Sequence, residues 1–130
     1  MNNNRFDNIF TPETLKEIFP ENRADWFFEA LYGDSSEGAY DIKLVFIKHV
    51  DNTLLFDFHL TPRPGKCLAC NLTYGLPNVF SRHPVIDVRG IVHQIEMHLN
   101  GQAICKDWKI GDTREISKNL HVIPLTVFLG

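Results

Sequence analysis

Cysteine is scarce in this chain, with three in 130 residues. An odd count leaves at least one thiol free, which argues against a disulfide framework and agrees with a reducing compartment. No apolar run approaches the roughly 20 residues that a membrane-spanning helix needs. The opening Met1-Asn2-Asn3-Asn4-Arg5 lacks the apolar stretch of a secretory signal. A cytoplasmic protein with no membrane partner is expected. A basic run is missing too, and a net charge of −3 is a poor basis for non-specific nucleic-acid binding. The sequence holds no Gly-rich phosphate loop, nucleophile elbow or paired-carboxylate pattern, so the expectation leans away from an enzyme. Internal repeats and low-complexity linkers are also absent, which leaves no domain boundary to draw.

What is present is an apolar content of 44%, enough for one core in a chain of this length. Residues 1–10 read as a disordered tail and 11–130 as a single α+β domain. Thr11-Pro12 has the form of an N-cap followed by a first helical residue, and Pro20 ends that helix. Asn22 caps a second helix to about Tyr32, with Trp26, Phe27, Ala30 and Leu31 on one face and Phe28 off it. Two alternating runs, Tyr40–Ile47 and Leu54–Thr61, joined at Asp51-Asn52, form a hairpin. A third strand is expected at Leu68–Tyr74, then an irregular stretch from Gly75 to Ile86. Asp87 caps a helix with a Val88, Ile91, Val92, Ile95, Leu99 stripe, closed by Asn100-Gly101. Strands near 103–110, 114–117 and 120–129 follow, with Pro124 at a sheet edge or bulge. The order ααβββαβββ predicts an antiparallel sheet of five to six strands with helices packed on it.

Charge is distributed unevenly. Residues 1–57 carry five Lys/Arg and eleven Asp/Glu, whereas 58–86 carry Arg63, Lys66 and Arg82 and no acid. If the loops at 61–66 and 75–86 converge, Arg63, Lys66, Arg82 and His83 form a positive notch for a carboxylate or phosphate. The other reading is ordinary surface charge. Cys67-Leu68-Ala69-Cys70 has the spacing of half a Zn site if the backbone turns there, with Cys105, His59, His83 or His93 completing it. In a strand the same two cysteines point to opposite faces, and the pair is structural. Redox catalysis fits poorly, because Gly75 and Pro77 cut off any helix after the pair. His93 and His98 are five apart, not the four of a helical metal pair, and read as solvated. Phe28 and Tyr32 are the aromatic residues that a small core leaves over, and mark an interface for a partner protein or a second copy.

Along Lys66-Cys67-Leu68-Ala69-Cys70-Asn71-Leu72-Thr73-Tyr74-Gly75-Leu76-Pro77, and again at Arg82-His83-Pro84, the chain resembles a small family of uncharacterised bacterial proteins. Some members carry a homeobox-type name. The resemblance runs along most of the chain and implies a bacterial cytoplasmic protein. It does not imply a homeodomain, since there is no basic recognition helix and the β content is high. The leading expectation is a non-catalytic binding domain using the 61–66 and 75–86 loops for an anionic group or a partner protein. A Zn protein through Cys67 and Cys70 is the second. A double-stranded-RNA-binding-like module is the third, opposed by the non-basic helix start Pro84-Val85-Ile86-Asp87.

Overall fold

The computed structural model describes residues 4–32, 40–65 and 76–130. A short helix α1 (Asn4–Asp7) leads into α2 (Pro12–Ile18), where Thr11 Oγ1 accepts from the Thr14 N–H at 3.2 Å. That cap satisfies one of the free donors of the first turn. Helix α3 (Arg23–Tyr32) precedes the hairpin of β1 (Tyr40–Val50) and β2 (Thr53–Pro62). Asp51 turns the hairpin with φ of 52°, and the Thr53 hydroxyl donates to the Val50 carbonyl at 2.6 Å. Helices α4 (Leu76–Phe80) and α5 (Val88–Leu99) come next, then β3 (Cys105–Ile110), β4 (Arg114–Ser117) and β5 (Leu120–Leu129).

The fold is α+β: among the described residues an antiparallel sheet of five strands, ordered β1-β2-β5-β3, with β4 also pairing β5. Strand register explains the core. Leu44 pairs with Phe58, and Phe58 with Ile123; Phe46 pairs with Phe56, and Phe56 with Leu125. Side chains in register share a face, so these rows form one apolar surface. All five helices among the described residues pack on it, through Phe6, Leu15, Phe27, Phe80 and Ile91 among others. Each fully buried side chain of this size contributes about 1.5–3 kcal/mol relative to exposure. Aromatic edges lock the layers: Phe10 lies 5.3 Å from Phe56, Phe19 5.6 Å from Phe58, and Phe80 5.3 Å from Phe58.

Several expectations are corrected. Phe6 and Phe10, assigned to a disordered tail, are buried against the sheet. The stripe of α3 is Ala24, Phe27 and Phe28, not the face with Trp26; Trp26 is 53% exposed and Phe28 only 2%. Helical spacing allows both stripes, and the contacts select one: Phe28 packs on Tyr40 at 4.8 Å and Phe27 on Phe80 at 5.6 Å. Phe28 is therefore no part of an exposed patch, and the side chain of Tyr32 lies outside the described residues. The stretch from 75 to 86 contains α4. The strand expected at 68–74 falls outside the described residues. Pro124 sits in β5, with strands on both sides, rather than at an edge. Its carbonyl accepts from the Gly111 N–H at 2.8 Å, so its missing donor falls on that same side, where the chain has left β3 and not yet entered β4. The gap in the ladder tolerates the proline. Gly111 is required there, since an added Cβ would lie 2.8 Å from Pro124 Cγ.

Candidate functional site

Helix α5 buries Val88, Ile91, Val92, Ile95 and Leu99, as its spacing predicts. Arg89, His93 and Glu96, three or four residues apart, share one side of the helix. The helix starts at Asp87, which caps it by accepting from the Gly90 N–H at 3.1 Å. A Cβ on residue 90 would collide with that carboxylate, so the cap requires Gly90. Beside α5 lies β3, the outermost strand on its side among the described residues.

A groove runs between them. One hollow of about 250 Å³ lies between the Arg89–Glu96 rim and Cys105–Trp108. A second, of about 270 Å³, lies against Arg82, His83 and Asp87. Arg89 and Trp108 border both, so the two hollows adjoin.

The charges in this groove differ in how they are held. Each acid accepts from a backbone N–H: Asp87 from Gly90, Glu96 from Cys105 at 3.0 Å, and Asp107 from Trp108 at 2.8 Å. Among the described residues, Arg82, Arg89 and Lys106 make no ion pair. Three cations thus face solvent beside a half-buried indole, while the neighbouring carboxylates are turned to the backbone. His83 closes one end. Its ring packs edge-on to Phe27 at 4.9 Å and its Nδ1 accepts from the Val85 N–H at 3.2 Å. Burial holds its pKa below the ordinary histidine value. The neutral ring then carries its proton on Nε2, a donor rather than a second charge.

The expected notch is only partly assembled. Arg82 and His83 line the groove, but Arg63 does not. Its guanidinium pairs with Asp25 at 2.7 Å and Asp41 at 3.1 Å, and lies 5.6 Å from the Phe28 ring centre. That arrangement ties α3 to the hairpin and neutralises the cation. Lys66, Cys67 and Cys70 fall outside the described residues. Cys105 is half-buried, and burial with the adjacent Glu96 pushes its thiol up to about 11, against thiolate chemistry near neutrality. Among the described residues, no three His, Cys, Asp or Glu side chains gather to hold a metal ion.

The groove's other members were not singled out from the sequence. Arg89, Lys106 and Trp108 become neighbours only when α5 docks beside β3. A second cluster lies on the sheet face away from the core, where Asp57, not singled out from the sequence, and His59, a candidate Zn ligand there, alternate with the buried Phe56, Phe58 and Leu60. A cavity of about 560 Å³ there meets Leu55, Asp57, Asp112 and Arg114. Burial raises the Asp57 pKa, with His59 and Arg114 opposing, and burial lowers that of His59, with Asp57 opposing.

These shifts set the acid response. His59 and His83 hold a proton less readily when folded, so their contribution is intact above the ordinary value of about 6.5 and is lost as pH falls through the folded pKa. Asp57 acts oppositely: its raised pKa costs stability at neutral pH, and the cost is relieved as pH falls through the carboxylate range. The urea midpoint should therefore drop between pH 7.5 and 5.5, and the drop should shrink in the His59→Asn/His83→Gln chain. An unchanged midpoint across that window contradicts the assignment.

Compared with known proteins, the chain matches no family model, no curated protein and no solved structure.

Proposed function

We propose that this chain is a non-catalytic binding domain that holds an anionic group, carboxylate or phosphate, in the groove between α5 and β3. The observation that supports it is the set of Arg82, Arg89 and Lys106, which make no ion pair among the described residues although acids stand nearby. A guanidinium in such a position offers a bidentate fork to an oxyanion at little reorganisation cost. The indole of Trp108 adds an apolar wall and a spectroscopic reporter. Loop 75–86 keeps its expected part through Arg82 and His83. Of loop 61–66, Arg63 drops out of the reading because it is occupied by Asp25 and Asp41, and Lys66 lies outside the described residues.

The test uses the Trp26→Phe chain, in which Trp108 is the single tryptophan. Titration with sodium pyrophosphate at low ionic strength should change its emission saturably, and the midpoint should rise steeply with added salt, because exposed charges are screened. A response no larger than that to sodium chloride of equal ionic strength overturns the reading.

A further inference from the structure

On the rim of β3 two backbone donors are satisfied in an unusual way. The Cys105 N–H donates to Glu96 Oε2 at 3.0 Å, reaching across the groove to α5. The Trp108 N–H donates to its neighbour's Asp107 Oδ1 at 2.8 Å. Both acceptors are side-chain oxygens, standing where the carbonyls of a neighbouring strand would stand. Edge strands present such donors as a template for a further chain, and natural proteins blunt them with charge. Here the blunting groups are carboxylates, and the cations Arg82, Arg89 and Lys106 line the two adjoining hollows.

We infer that the groove takes an extended acidic peptide segment, which adds to β3 as an antiparallel strand, the commoner pairing. This rests on the groove's being an anion site. Carbonyls of the peptide replace Glu96 and Asp107 as acceptors for Cys105 and Trp108, and its carboxylates meet Arg82 and Arg89. The pattern of strand addition is general: main-chain hydrogen bonds supply affinity, and alternate side chains supply selection. The charge selects the occupant. A basic segment would meet three cations that make no ion pair among the described residues, and a neutral one would offer them nothing, whereas an acidic one supplies carboxylates while the displaced Glu96 and Asp107 turn to solvent. The groove's wall from Arg89 to Glu96 is one helical face, so it runs straight beside the strand.

The experiment uses an acetylated octapeptide of alternating Val and Glu with a free C-terminus, read by Trp108 emission in the Trp26→Phe chain. Two further peptides carry N-methyl groups on every Val or on every Glu. In a strand, the N–H groups of alternate residues face opposite edges, so only one methylated peptide disturbs the bonds to β3. The parent should bind, one methylated peptide should bind about tenfold or more weakly, and the other should match the parent. A Val-Lys octapeptide should not bind. Equal affinity for the two methylated peptides overturns strand addition. Should pyrophosphate still bind in that case, the anion reading stands without it. Should neither pyrophosphate nor any peptide bind, both readings fall.

Discussion

Phe80→Ala should destabilise the chain by about 4 kcal/mol, within the range for removing a phenyl ring from a closed core. Phe80 is 0% exposed and stands edge-on to Phe27 at 5.6 Å and to Phe58 at 5.3 Å. Truncation removes both contacts and leaves a cavity among helices and sheet that cannot all move inward. The effect reaches the groove. Helix α4 has five residues and cannot hold itself together by backbone bonding alone. Its anchorage carries the next segment, since the Arg82 and His83 N–H groups both donate to the Val79 carbonyl, at 3.1 and 2.9 Å. Losing Phe80 therefore loosens the loop that presents Arg82. Urea unfolding measures the stability, and pyrophosphate titration measures the loop. Phe80→Leu, which keeps most of the volume, should cost less, about 1.5 kcal/mol. A loss under about 1 kcal/mol for the alanine chain would sink the account of α4 as a side-chain-anchored element.

Reversing two charges should have the second large effect. Arg82→Glu with Arg89→Glu is expected to weaken pyrophosphate binding by about a hundredfold or more, since each charge-assisted hydrogen bond lost costs about 1.5–3 kcal/mol. Stability should change little, because both side chains are exposed and neither makes an ion pair among the described residues. Arg63→Met supplies the contrast. It removes a cation of the same acid-poor stretch, but one bound to Asp25 and Asp41, so unfolding should move and pyrophosphate affinity should not. If Arg63→Met abolishes binding while the double reversal leaves it intact, the site has been placed on the wrong side of the molecule.

What could be read before the structure was local. Thr11, Asp87 and Asn100 declare helix ends by short-range hydrogen bonding and by tolerance of left-handed backbone, and Asp87 and Asn100 adopt φ of 51° and 52°. The hairpin declares itself by parity, and the stripe of α5 by period. The misreadings have long-range causes. Phe6 and Phe10 carry no helical period in a polar stretch, yet a ring needs only a surface to fall on, and the sheet that provides it lies more than thirty residues away. Trp26 and Phe28 compete for the inward face of one helix, and the winner is set by Tyr40 and Arg63. Arg63 resembles a free cation because its partners are 22 and 38 residues distant. The groove is least legible, since α5 and β3 contribute charges of both signs. Only the hydrogen bonds show which of these charges are turned to the backbone.

Strand β5 is the hub of the sheet among the described residues. Residues 120–129 pair with β2 along one side and with β3 and β4 along the other. During synthesis, a ribosome would expose the β1–β2 hairpin and the five helices of the described residues before that hub emerges. Until then β2 has one bare edge and an apolar face lacking Ile123, Leu125 and Val127. Such an intermediate invites association with other nascent chains. Folding must wait for residues 120–129 to close contacts distant in sequence, which makes it slow for a chain of this size. The bare edge of β2 is closed only when residues 120–129 pair with it, so the order of synthesis sets how long that edge stands open.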